Sequence, residues 1–333
     1  MYEKKFHDGN LNFTFLITGG AGFIGSHIVE YLLRYNARKV IVLDNFSTGF
    51  RKNLKAFDDN PALEIVEGDI RDYNLVKNLV EQSDYISHQA ALGSVPRSIE
   101  DPLTTNQVNI NGFLNVLTAF KNASRPKRMI YAASSSTYGD STQLPKRENN
   151  TGNPLSPYAV TKLVNELYAG VFGKLYGTRT IGLRYFNIFG PRQDPNGAYA
   201  AVIPLFMKAV ITGKRPVING DGLQTRDFTF VENAVQANIR AFFASENAVN
   251  QVYNIAVGKR TSLLRLLEKI AALAQKKAHP EFGPARPGDV RDSLADISKA
   301  QKLLSYSDLV PLEEGLKITY EYFKNIFQEN SPH

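Results

Sequence analysis

The pair best placed to do chemistry is the phenol of Tyr158 and the ammonium of Lys162, four residues apart. On a helix, positions i and i+4 share a face. A free tyrosine, with a pKa of about 10, is a poor base at neutral pH. A nearby cation favours the phenolate, and so would the positive ring of an oxidised nicotinamide. Together they bring the phenol toward the range useful for general-base work. Such pairs arise by chance on many helices; this one gains weight by following the hydroxyl cluster Ser134 to Ser136.

A second group of residues suits phosphate. The run Phe13 to Gly25 reads FTFLITGGAGFIG. An apolar strand pattern ends at Thr18, Gly19-x-x-Gly22-x-x-Gly25 follows, and Phe23, Ile24, Ile28, Leu32 and Leu33 then repeat at helical spacing. Glycines let a backbone approach a pyrophosphate, and a helix N-terminus offers free N–H groups. Lys39 to Leu43 reads as a second buried strand, with Asp44 at its end. An acid about 20 residues after such a glycine loop accepts hydrogen bonds from an adenosine ribose and repels a 2′-phosphate. NAD is therefore expected as cofactor, rather than NADP.

These groups need strands and helices to bring them together. Leu63 to Val66, Asp84 to Ser87, Arg128 to Ala132 and Arg179 to Arg184 read as further strands. Helices are expected over Pro102 to Ala123, capped by Asp101, and over Ser156 to Tyr176, capped by Ser156. The alternation predicts an α/β fold, a doubly wound and mostly parallel Rossmann sheet. Small or polar clusters follow the strand ends, where such sheets bind ligands. Beyond Asn187 the alternation fails. Short strands (Pro216 to Ile218, Val252 to Ile255) mix with helices near Ala200 to Thr212, Val231 to Ala244, Leu263 to Lys276 and Pro311 to Phe327. The expected division is a cofactor domain over residues 1–186 and a smaller, partly interwoven lobe over 187–333, with chain after residue 225 returning to the first domain.

Composition narrows the classes. At 43% hydrophobic residues and a mean hydropathy of -0.25, the chain reads as soluble and globular. No apolar run approaches the ~18 residues of a membrane span. The polar N-terminus lacks a signal-peptide core, so a cytoplasmic protein is expected. The absence of cysteine excludes disulfides and thiolate catalysis, and no metal site is expected. The net charge of +7 suits an anionic metabolite as well as nucleic acid. The basic residues are scattered, so no nucleic-acid partner is expected. His88 reads as a packed, hydrogen-bonded residue rather than a ligand.

The motifs as a set resemble the extended short-chain dehydrogenases/reductases, and within them the nucleotide-sugar 4-epimerases. They are Gly19 to Gly25, Asp69-Ile70-Arg71-Asp72, His88-Gln89-Ala90-Ala91, Asn109-x-x-Gly112, Ser134 to Gly139, Tyr158-x-x-x-Lys162 and Arg184-Tyr185-Phe186-Asn187. The runs Gly93 to Ser98 and Arg192 to Ala201 look most like UDP-N-acetylglucosamine 4-epimerases of bacterial polysaccharide pathways. The resemblance implies Tyr158 as base, Lys162 as its tuner and a ribose ligand, and Ser134 as the partner sharing the O4′ proton. It implies cofactor contacts from Gly19, Gly22, Phe23, Ile24, Gly25, Asp44, Asn45, Thr48, Gly49, Asp69, Ile70, Gln89, Ala90, Ala91, Asn109 and Tyr185. Asn187, Arg226, Arg286 and Asp289 would grip the UDP. Gly93, Ser94, Ser135, Gln193, Ala201, Val202 and Ser293 would line the sugar-nucleotide pocket.

The related 4,6-dehydratases carry an Asp-Glu pair where this chain has Ser135 and Ser136, which favours epimerisation over elimination. Ser293 occupies a position that in the resembling epimerases faces the C2 substituent, and a small residue there leaves room for N-acetyl. The resemblance also implies a homodimer built on helices 102–123 and 156–176, with Phe113, Leu114, Leu117, Leu163, Leu167 and Val171 as candidate contacts. Two other readings remain: an epimerase of UDP-hexoses or UDP-uronates, and a non-catalytic NAD sensor or nucleic-acid-binding module on the same fold.

Overall fold

The computed structural model describes residues 2–197, 200–284 and 290–329. Six strands, β1 (Thr14–Thr18), β2 (Lys39–Asp44), β3 (Leu63–Glu67), β4 (Tyr85–His88), β5 (Arg128–Ser134) and β6 (Thr180–Tyr185), are joined by an edge strand, Gln251–Ile255. Across the sheet they run β3, β2, β1, β4, β5, β6 and then the edge strand. Every pairing is parallel. The order reverses between β1 and β4, and ligands bind doubly wound sheets in the crevice beyond such a reversal.

The central strands β1 and β2 are nearly continuous apolar runs because helices cover both faces. Phe15, Ile17, Val40 and Val42 enter one core, while Leu16, Ile41 and Leu43 enter the other. Phe15 is fully buried, and its truncation to Ala should cost about 3–5 kcal/mol. A third core, with Phe206, Phe230, Leu267 and Phe323 among its members, holds the later part of the chain together. Helices there span Val202–Ile211, Val231–Phe242, Leu263–Leu273 and Leu312–Glu329. The expected strand at Pro216 forms over Val217–Asn219, paired with Glu281–Gly283.

The helix Pro157–Tyr176 starts as expected, with the Ser156 hydroxyl accepting the N–H of Ala159 at 3.2 Å. The helix expected from Pro102 to Ala123 is interrupted. Asp101 caps its start by accepting from Thr104 at 3.0 Å, but residues Gln107–Gly112 wind as a π-helix. A Cβ on Gly112 would lie 2.5 Å from the Ile70 side chain, so the wide turn meets the neighbouring chain closely. A short helix over Val95–Glu100 was not foreseen. Nor was the burial of Tyr2 and Phe6, which pack on helix α1 (Phe23–Arg34) through Tyr31. Among the described residues, no helix is long and apolar enough to cross a membrane.

Candidate active site

Strand register assembles the site. Thr18 lies beside His88, and Ser134 beside Tyr185, all at the C-terminal end of the sheet. The first two turns of helix 157–176 bring Tyr158 and Lys162 to the same end. The ammonium of Lys162, only 3% exposed, donates to the Ala132 carbonyl at 2.8 Å and sits 5.9 Å from the centre of the Tyr158 ring. Burial lowers it to about 8, against the opposing pull of Glu166 one turn on.

The phenol behaves differently from the sequence expectation. Burial pushes Tyr158 above its ordinary value, and the hydrogen bond from Ser134 pulls the other way. Stripping water from a phenolate costs more here than that hydrogen bond returns. The Ser134 hydroxyl accepts the Ser136 N–H at 3.1 Å and lies 2.8 Å from the Ser136 hydroxyl.

The glycine turn fits its expected use. Gly19 has φ of 70°, and a Cβ there would lie 2.6 Å from the Ala90 nitrogen. A Cβ on Gly25 would lie 2.1 Å from the Gly19 carbonyl oxygen. Helix α1 starts at Phe23 behind the N-cap residue Gly22, with no side-chain cap. Asp44 accepts from the Ala21 N–H and from the Phe46 N–H, both at 2.9 Å, so it braces the glycine turn as well as its own turn. Each of its oxygens keeps a further lone pair, and burial raises its pKa. Asn45 donates to Asp69 at 2.8 Å, and Arg71 holds Asp69 down to about 2.

Three cavities meet here. The first, about 390 Å³, is lined by every expected cofactor residue except Asn109. Asn109 turns away to clamp Leu92, accepting from its N–H at 2.8 Å and donating to its carbonyl at 3.1 Å. The walls suit NAD: bare glycine backbone at an uncapped helix start, a carboxylate ending β2, and the phenol and ammonium beyond.

The second cavity, about 230 Å³, shares Ser134 and Asn187 with the first and adds Ser135, Arg226 and Ser293. The third, about 170 Å³, takes Val202 and shares Asn187 and Arg226 with the second.

Several expected residues fall elsewhere. Gly93 lines the first cavity, not the second. The Ser94 hydroxyl caps helix 95–100 by accepting from Arg97. Gln193 donates to the Ile188 carbonyl and lines none of the three. Ala201 sits at the cap of helix 202–211, between the lining residues Ala200 and Val202. Arg286 and Asp289 lie outside the described residues.

Lys146, Asn219 and Gln224 line the second and third cavities without having been foreseen. No local spacing marks them: Lys146, for one, arrives through a bridge to Ala295. His88 is buried, its Nδ1 2.8 Å from the Thr18 hydroxyl. Among the described residues, no group of three or more acidic or histidine side chains could hold a metal.

A doubly wound parallel sheet with Ser, Tyr and Lys at its C-terminal edge defines the short-chain dehydrogenase/reductase class. Residues 15–256 match the NAD dependent epimerase/dehydratase family. The chain belongs to this family, whose cofactor is NAD. A UDP-glucose 4-epimerase of Mycolicibacterium smegmatis is 36% identical over 311 residues, covering 93% of this chain and 98% of that protein. The solved UDP-N-acetylglucosamine 4-epimerase of Methanobrevibacter ruminantium, in complex with UDP-N-acetylmuramic acid, superposes with a TM-score of 0.89 at 40% identity. It covers 95% of this chain and 99% of its own. The UDP-glucuronic acid 4-epimerase of Bacillus cereus, solved with UDP-glucuronic acid and NAD, gives 0.87 at 32% identity, covering 94% and 99%.

Proposed function

We propose that this protein interconverts UDP-N-acetylglucosamine and UDP-N-acetylgalactosamine at C4, in the cytoplasm and as a homodimer. The observation that carries the reading is the shared wall. Ser134 and Asn187 line both the glycine-loop cavity and the small cavity holding Ser135 and Ser293. The third cavity joins the second at Asn187 and Arg226.

On this reading the sugar occupies the second cavity, the uridine the third, and the diphosphate the junction beside Arg226. A guanidinium there matches phosphate oxygens. NAD, held by Gly19, Gly22, Asp44 and Lys162, supplies the hydride acceptor and donor. Tyr158 takes the O4′ proton and later returns it. Ser134 holds the hydroxyl in line. Lys162 keeps positive charge near the phenolate that forms. Inversion requires the 4-keto sugar to turn while UDP stays anchored, which suits small side chains at one end and an arginine at the other. The small Ser293 leaves room in the second cavity for an acetamido group at C2, so acetamido sugars fit on this reading. Purified protein incubated with UDP-N-acetylglucosamine, without added NAD, should yield UDP-N-acetylgalactosamine; conversion of UDP-glucose or UDP-glucuronate alone would overturn the choice of sugar.

A further inference from the structure

Asp227 lines none of the three cavities, yet it bonds Asn187, which lines all three, and directly follows Arg226, which lines two. It is fully buried. Its carboxylate accepts the N–H of Val257 and of Gly258, both at 3.0 Å, and that of Ala295 at 3.3 Å. Its main-chain carbonyl accepts the Asn187 amide at 3.2 Å. It directly follows Arg226 in the chain, and Ala295 stands two residues after Ser293. The Ser293 N–H in turn donates to the Thr225 carbonyl at 3.1 Å. One side chain therefore ties the turn after the edge strand to the segment carrying Ser293, at the residue beside Arg226. A buried carboxylate is retained only when its hydrogen bonds are supplied, and here the main chain of two distant segments supplies them.

We propose that Asp227 is a positioning residue, a buried clasp that fixes Arg226, Asn187 and Ser293 relative to one another and so sets the grip on the nucleotide-sugar. The proposal rests on the assignment of the second and third cavities to a UDP-sugar. An Asp227→Asn change keeps the shape but places an NH₂ against N–H donors. In the folded variant, the dissociation constant for UDP, read by calorimetry, should rise at least tenfold. The KM for UDP-N-acetylglucosamine should rise similarly, with kcat at saturation falling less than about threefold. NAD retained on purification should stay at the wild-type level.

UDP binding equal to wild type in folded Asp227→Asn would overturn the clasp. So would a loss of kcat and of NAD content as large as the loss of UDP binding, which marks a general structural role. Wild-type protein that fails to bind UDP would instead overturn the nucleotide-sugar reading. If the variant does not fold, hydrogen exchange on wild-type holoenzyme decides. The N–H groups of Val257, Gly258 and Ala295 should exchange as one unit and slow together when UDP is added; independent exchange of Ala295 would overturn the proposal.

Discussion

At the scale of the residue, the site is a contest between burial and charge around one phenol. Burial holds Tyr158 above its ordinary value while Ser134 opposes it. Its usefulness as a base depends on cationic charge brought against it. Tyr158→Phe removes the proton acceptor without touching the glycine turn. It should lower kcat by about a thousandfold, the scale of a lost general base, with bound NAD retained; turnover within tenfold of wild type would discard the mechanism. Ser293 is tested by bulk. Ser293→Tyr should shift the ratio of kcat/KM for UDP-N-acetylglucosamine over UDP-glucose at least tenfold toward UDP-glucose, because a phenol would fill the second cavity; an unchanged ratio would remove Ser293 from the sugar site. Gly19, Asp44 and Tyr158 were legible in the sequence because their chemistry depends on spacing within short runs. Asp227 and Lys146 were not, since their neighbours at Gly258 and Ala295 are brought up only by the folded chain.

At the scale of the element, the central strands are legible in the sequence because burial on both faces makes them continuous apolar runs, as in β1 and β2. What escaped were features set by contacts across the fold. The π-helix at Gln107–Gly112 answers to Asn109's clamp on Leu92 and Gly112's approach to Ile70. The N-terminal segment looked polar, yet Phe6 stacks on Tyr31 at 4.9 Å. The dimer expectation divides in the same way. Phe113 and Leu117 belong to the core, whereas Leu167 and Leu175 on helix 157–176 and Leu103 on the preceding helix stand 61%, 68% and 76% exposed. Burying each such leucine is worth up to about 2 kcal/mol. The wild-type protein should therefore sediment as a dimer, and Leu167→Glu with Leu175→Glu as a monomer; a wild-type monomer would leave these helices without the proposed partner.

At the scale of the whole molecule, two buried histidines should govern acid stability. His27 lies between the Tyr2 hydroxyl, 2.7 Å from Nδ1, and the Pro191 carbonyl, 2.9 Å from Nε2. The carbonyl can only accept, so Nε2 carries a proton. Burial lowers both His27 and His88 to about 3, whereas an unfolded histidine titrates near 6.5. Between those values the unfolded chain binds more protons, so stability is lost as pH falls, by up to about 1.4 kcal/mol per pH unit for each ring. Asp227 acts in the opposite direction. Burial raises it to about 6 from a model-peptide value of 3.8. Within that window the folded state takes up its proton, and stability is gained on acidification. Asp44 and Glu232, which burial also raises, act in the same sense, so the loss below pH 6 is smaller than the two histidines alone would give. Urea unfolding at pH 7.5, 6 and 5 should show the midpoint falling over this range. His27→Gln keeps an acceptor for Tyr2 and a donor for Pro191 but binds no proton, so it should flatten the decline by about one proton's worth. A wild-type midpoint that does not move between pH 7.5 and 6 would mean that the two rings are not both held neutral in the folded protein.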